Sequence, residues 1–119
     1  MDKKEDTQFA GSAYRRRDEK IYGRVQWKGR KMTLRHLYIF IAVYQEMSIT
    51  KAAERLHLAQ PRVSQAVKEL EEEYGVRLFE RLNRKLFVTE KGERLYDYAV
   101  HLLELSQEME EDLLSSGNG

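Results

Sequence analysis

From Leu34 to Leu113 the apolar residues recur at three- and four-residue intervals, broken once by a short alternating stretch. Such intervals predict helices, and alternation predicts strands. The first stripe, Leu34, Leu37, Ile41 and Tyr44, predicts a helix over Leu34 to Glu46 with Thr33 as its cap. Ile39, Phe40 and Val43 widen this stripe until the helix is apolar nearly all round. A helix of that kind must be covered on more than one side. A second, shorter helix is predicted from Thr50, its expected cap, through Leu56. Its small Ala52 and Ala53 let another helix approach closely. His57-Leu58-Ala59 reads as a turn. Pro61 suits the first helical position, where its missing amide costs nothing. Val63, Val67, Leu70 and Tyr74 then repeat as one buried face, and Gly75 is placed to end the helix in a left-handed cap.

Two short strand candidates follow, Val76 to Arg81 and Leu86-Phe87-Val88. Leu82-Asn83-Arg84-Lys85 forms the turn between them, and Asn tolerates positive φ there. Thr89 opens a last helix from Glu90 to about Leu114. Its apolar seam runs through Leu95, Tyr98 or Ala99, Leu102, Leu105, Met109 and Leu113. A helix this long, with a seam this narrow, exceeds what so small a domain can bury. The pattern predicts pairing with a second copy of itself and with the uncovered side of the first helix.

Polar positions add a functional signal. The helix begun by Pro61 carries Arg62, Ser64, Gln65 and Lys68 opposite its buried face, with Gln60 at the entrance and no acid before Glu69. Gln and Arg can bond two base-edge atoms at once in the major groove. Ser64 and Lys68 suit phosphate oxygens. Glu69, Glu71, Glu72 and Glu73 would repel phosphates, so the first half of the helix should enter a groove and the second half leave it. The triplet Glu71-Glu72-Glu73 reads as a solvated charge run. A small-residue helix, a short turn and a Pro-started helix together predict a helix-turn-helix. The cations of the following turn, Arg84 and Lys85, predict a wing that grips the sugar-phosphate backbone or the minor groove, with Arg81 beside them. Thr50 and Lys51, at the start of the preceding helix, join the candidate surface.

The net charge of +1 sits badly with such a surface until it is divided along the chain. Residues 1–31 hold ten Lys/Arg against five Asp/Glu, residues 32–94 eleven against nine, and residues 95–119 none against six. Acid is segregated into the tail, and the middle is mildly basic. Residues 1–31 read as a basic, flexible extension. Ile21, Tyr22, Val25 and Trp27 form either a short strand or aromatics scattered in an arm, and Arg15-Arg16-Arg17 would suit an arm lying along DNA. The segment also fits residues upstream of a natural start at Met32. Ser115 to Gly119 reads as a flexible end. No cysteine is present, which excludes disulfides and thiolate metal sites and fits the cytoplasm. His36, His57 and His101 lack metal-ligand spacing. No phosphate-binding Gly loop, nucleophile elbow or membrane-spanning run occurs. The expectation is therefore no enzyme, no metal, no cofactor and no membrane contact.

Several motifs are specific: AAERLHLAQP, the S-x-x-x-x-LE run from Ser64 to Glu71, GVRLFER, and the T-E-K-G run from Thr89. With MTLRHLYIFIAV before them, residues 32 to about 114 resemble, without gaps, the N-terminal DNA-binding domain of LysR-type transcriptional regulators. The resemblance implies a mainly α fold: a winged helix-turn-helix over 32–89, of three helices plus a two-stranded wing, then a long dimerising linker helix over 90–114. It implies groove contacts by Gln60, Pro61, Arg62, Ser64 and Gln65, and wing contacts by Arg81 and Arg84. Double-stranded DNA and a second copy of the chain are the implied partners, in the prokaryotic nucleoid. Residues 1–31 have no counterpart in the family, and Gln65 stands where members often have Arg. Members also continue into a larger effector-binding domain, so no small-molecule effector site is expected here. A fragment and a natural short form both fit. The competing reading is a protein-interaction module that forms mixed dimers with a full-length relative.

Overall fold

The computed structural model describes residues 32–116. The expected N-terminal extension, including its basic cluster and possible strand, lies outside the described residues, as do residues 117–119. Four helices and one hairpin follow in order: α1 (Leu34–Glu46), α2 (Ile49–Leu56), α3 (Gln60–Tyr74), β1 (Phe79–Leu82), β2 (Lys85–Val88) and α4 (Glu90–Ser116).

The helix ends show how local chemistry sets the frame. Thr33 caps α1 as expected, its hydroxyl accepting from the His36 amide while the Thr33 amide donates to His36 Nδ1 at 3.1 Å. Met47 closes α1 in a left-handed conformation. The cap of α2 is Ser48, not Thr50: Ser48 Oγ accepts from the Lys51 amide at 3.1 Å. Both residues carry a hydroxyl; the helix begins two positions earlier than expected, with Ile49 as its first residue and buried. Gln60, not Pro61, is the first residue of α3, and Pro61 still falls in the first turn, where its missing amide is harmless. Gly75 ends α3 with φ +63, as its position predicted.

Three helices pack around Phe40, Leu37, Val43, Val63 and Leu70, all essentially inaccessible to solvent. Ala52, Ala53 and Ala66 line the close approaches between them. Tyr74, expected on the buried face of α3, is 44% exposed, because Leu70 is the last buried residue and the final turn overruns the core. Leu78 and Phe79 add the wing side of the core, with Phe79 and Phe40 ring centroids 5.4 Å apart.

The hairpin is shorter and differently placed than its sequence suggests. Leu82 pairs with Lys85, so Leu82 and Lys85 belong to the strands, and Asn83-Arg84 alone makes the turn. Both turn residues have positive φ, +50 and +65. This is the two-residue mirror-image turn that matches strand twist.

The start of α4 is tied to the wing. Thr89 donates its hydroxyl to the Arg77 carbonyl at 2.6 Å and accepts from the Gly92 amide at 3.0 Å. A Cβ at Gly92 would run into the Leu78 carbonyl and Val88, which explains why the T-E-K-G run ends on glycine. Further along, α4 covers one side of α1. Tyr44 and Tyr96 stack with centroids 3.7 Å apart, Tyr44 donates to Glu93 at 2.6 Å, and Gln45 donates to the Tyr96 hydroxyl at 2.9 Å. Thus α1 finds part of its second cover within its own chain. Ala99 is buried in that contact and Leu95 is half-buried against the core, whereas Tyr98 is 68% exposed. The seam is therefore two stripes. Leu95 and Ala99 serve the chain's own core, and Tyr98, Leu102, Leu105, Met109 and Leu113 face solvent.

Candidate nucleic-acid interface

The fold presents the first half of α3 as an outward ridge. Burying Val63, Ala66 and Val67 turns Gln60, Pro61, Arg62, Ser64, Gln65 and Lys68 to solvent. Clefts flank this ridge. On one side a groove of about 440 Å³ runs between the ridge and the wing. It is lined by Ser48, Thr50, Gln60, Arg81, Arg84 and Lys85, among others, and by no acid. Thr50 and Gln60 each stand in the first turn of their helix, where unpaired amides and the helix dipole favour an anion. A smaller cleft brings Ser64 and Lys68 to Arg81. On the other side a cleft of about 550 Å³ separates the ridge from the start of α1, with Arg35, Pro61, Arg62, Gln65 and Glu69 on its walls.

The structure thus gathers Thr50, Gln60, Arg81, Arg84 and Lys85 in one groove and Ser64 and Lys68 beside it. Lys51 is exposed in the first turn of α2 but does not line that groove. Arg35 escaped the sequence reading. It lies one helical turn before the buried Ile39, on the α1 wall of that cleft, and no periodic signal marked it.

Charge pairing separates two kinds of arginine. Arg55 is held by Glu46 at 3.1 Å and by Gln45 at 2.7 Å. Arg77 lies 3.7 Å from Glu71 and donates to the Phe79 carbonyl. Among the described residues, no ion pair engages Arg62, Lys68, Arg81, Arg84 or Lys85. Glu71 is not the solvated acid its sequence context suggests. Its carboxylate accepts from the Leu78 and Phe79 amides, at 2.8 and 3.4 Å, and so anchors the wing to α3.

Among the described residues, no cluster of His, Cys, Asp or Glu could hold a metal ion, and no helix is long and apolar enough to cross a membrane.

Comparison with known proteins bears on this arrangement. Residues 34–93 match the model of the bacterial regulatory helix-turn-helix proteins of the lysR family. The RuBisCO operon transcriptional regulator of Allochromatium vinosum is 45% identical over 84 residues, covering 71% of this chain and 28% of that protein. The regulator BenM of Acinetobacter baylyi is 49% identical over 72 residues, covering 60% of this chain and 24% of that protein. The chain therefore spans about a quarter of the length of these relatives. A crystal structure of the BenM DBD in complex with catB site 1 DNA superposes with a TM-score of 0.70 at 42% identity. That match covers 74% of this chain and 99% of the solved one. Sequence and fold agree, from the capped α1 to the wing and the start of α4, that this chain belongs to the lysR family of bacterial helix-turn-helix regulatory proteins.

Proposed function

We propose that this chain binds double-stranded DNA sequence-specifically as a homodimer and so regulates transcription, in the bacterial cytoplasm at the nucleoid. The first half of α3 enters the major groove, where Arg62 and Gln65 reach base edges and Gln60, Pro61, Ser64 and Lys68 fix the approach. Thr50, Lys51 and the wing cations Arg81, Arg84 and Lys85 hold the sugar-phosphate backbone. The exposed stripe of α4, Tyr98, Leu102, Leu105, Met109 and Leu113, pairs with a second copy, helped by the exposed Leu34 and Tyr38 of α1. Two copies of α3 would then lie roughly 34 Å apart, on an inverted repeat.

The observation that carries this reading is the acid-free groove that brings the starts of α2 and α3, at Thr50 and Gln60, against the wing cations Arg81, Arg84 and Lys85. Crystal structures of the related BenM and CbnR DNA-binding domains in complex with DNA support it. Titration of a labelled inverted-repeat duplex against a scrambled one tests it. Gln65→Ala should lose sequence preference, and Arg84→Ala should weaken every sequence and flatten the salt dependence. Unchanged binding in both variants contradicts the assignment of groove and wing.

The exposed α4 stripe beside a tail of six acids and no Lys or Arg also favours a second reading, a module that forms mixed dimers with a full-length relative. Sedimentation with and without DNA separates the two, since a stable dimer lacking DNA affinity favours this one.

A further inference from the structure

The cleft between α1 and α3 holds a hydrogen-bonded relay that ends on the recognition surface. His36 Nδ1 accepts from the Thr33 amide at 3.1 Å, and an amide N–H can only donate. Nδ1 is thus the acceptor nitrogen, which leaves the proton on Nε2. Nε2 lies 2.7 Å from Glu69 Oε1 and donates to it. The other oxygen, Glu69 Oε2, accepts from Gln65 Nε2 at 3.2 Å, one helical turn earlier. A carboxylate only accepts, so the amide nitrogen of Gln65, not its oxygen, faces Glu69. The carbonyl oxygen is then the end of the amide turned away from Glu69. Gln65 is exposed on the ridge, while the His36 and Glu69 side chains are only 15% and 28% exposed.

We propose that Glu69, anchored by His36, is a positioning residue that sets which base Gln65 selects. This rests on the proposed placing of Gln65 in the major groove. An unrestrained glutamine can turn its amide over and offer either donors or an acceptor. Held on Glu69, Gln65 offers foremost an acceptor, which suits the exocyclic amino group of adenine or cytosine. Guanine and thymine present acceptors at the corresponding place and are disfavoured. Glu69→Gln reverses the constraint with almost no change in shape: the Nε2–H of His36 keeps the new amide's oxygen, so its NH2 group faces Gln65 and takes up the Gln65 carbonyl oxygen.

The test uses the full 119-residue chain and an operator selected by it from a randomised duplex library. Each position of that operator is then replaced by all four base pairs. Binding is compared for wild type, Gln65→Ala, Glu69→Gln and the double variant. Glu69→Gln should shift preference about tenfold toward guanine or thymine at the positions where Gln65→Ala loses preference, and add nothing in the Gln65→Ala background. Without DNA, the Gln65 side-chain amide resonances should shift in Glu69→Gln. A uniform gain for all duplexes with unchanged preference overturns the proposal, since loss of one carboxylate near phosphate produces that alone. Additive effects of the two substitutions, or loss of preference at other positions, also overturn it. Preference lost in Gln65→Ala but kept in Glu69→Gln, with unmoved amide resonances, overturns the positioning role and leaves the groove reading standing. A wild-type chain that selects no sequence overturns both.

Discussion

The two halves of α3 belong to one helix and do different work. In the first half, Gln60 to Lys68, the outward side chains carry no ion pair among the described residues, and Gln65 alone is restrained. In the second half two of the four carboxylates are occupied with the domain itself, Glu69 on His36 and Glu71 on the amides of Leu78 and Phe79. These two acids tie α3 to α1 and to the wing, while among the described residues the cations of the first half make no ion pair. A change from basic to acidic along a helix can therefore mark a boundary between a surface for a ligand and a surface for the fold.

The division can be broken by substitution. Glu71→Ala should cost about 1–3 kcal/mol of stability, because partly buried backbone amides lose their acceptor. Chemical denaturation measures this, and the ratio of affinities for operator and scrambled duplex should stay unchanged. Gln65→Ala should do the reverse: stability within about 0.5 kcal/mol and a loss of about 1–3 kcal/mol in discrimination between base pairs. If Gln65→Ala destabilises as much as Glu71→Ala, the two halves are not distinct.

Arg84 sharpens the comparison from the wing. It sits at φ +65, a conformation that favours glycine. Arg84→Gly should stabilise the chain by about 0.5–1 kcal/mol and still weaken binding to every duplex, with the salt slope falling by about 1. The cation is then held at the tip at a cost in backbone strain.

The smallest effect concerns the region away from the ridge. The Tyr44 hydroxyl donates to the Glu93 carboxylate, and chiefly for that reason its pKa is pushed from 10.0 to about 12. The neutral phenol is the bonded form. Its contribution to stability is complete below pH 10 and is lost as pH rises from 10 toward 12. An absorbance titration should show one tyrosine ionising near pH 12, a step that Tyr44→Phe removes.

What could be read from the chain follows from how local each cause is. Thr33, Pro61 and Gly75 act within one turn of their own positions, so the ends of α1 and α3 were legible to within a residue. Ser48 and Thr50 are both able caps by residue type, and the sequence pattern does not choose between them. The hairpin slipped because Asn83-Arg84 lacks the glycine that advertises a two-residue turn. Glu71 looked solvated because its partners come seven and eight residues later, across the cap of α3. The bond from His36 to Glu69 spans 33 positions and has no periodic signature at all. The same holds for the choice between Tyr98 and Ala99. The seam pattern admits both, and packing against α1 buries Ala99 alone. The outward face of α3 was legible as a face because polar positions opposite an apolar stripe lie together wherever the helix docks.

The most direct test of the ridge is amide shift mapping of the labelled chain during titration with duplex DNA. The account predicts perturbations at Thr50 and Lys51, through Gln60 to Lys68, and at Arg81 to Lys85, with Glu72 to Gly75 unmoved. Shifts gathered on the second half of α3, or on α4, with the wing and ridge silent, would contradict it.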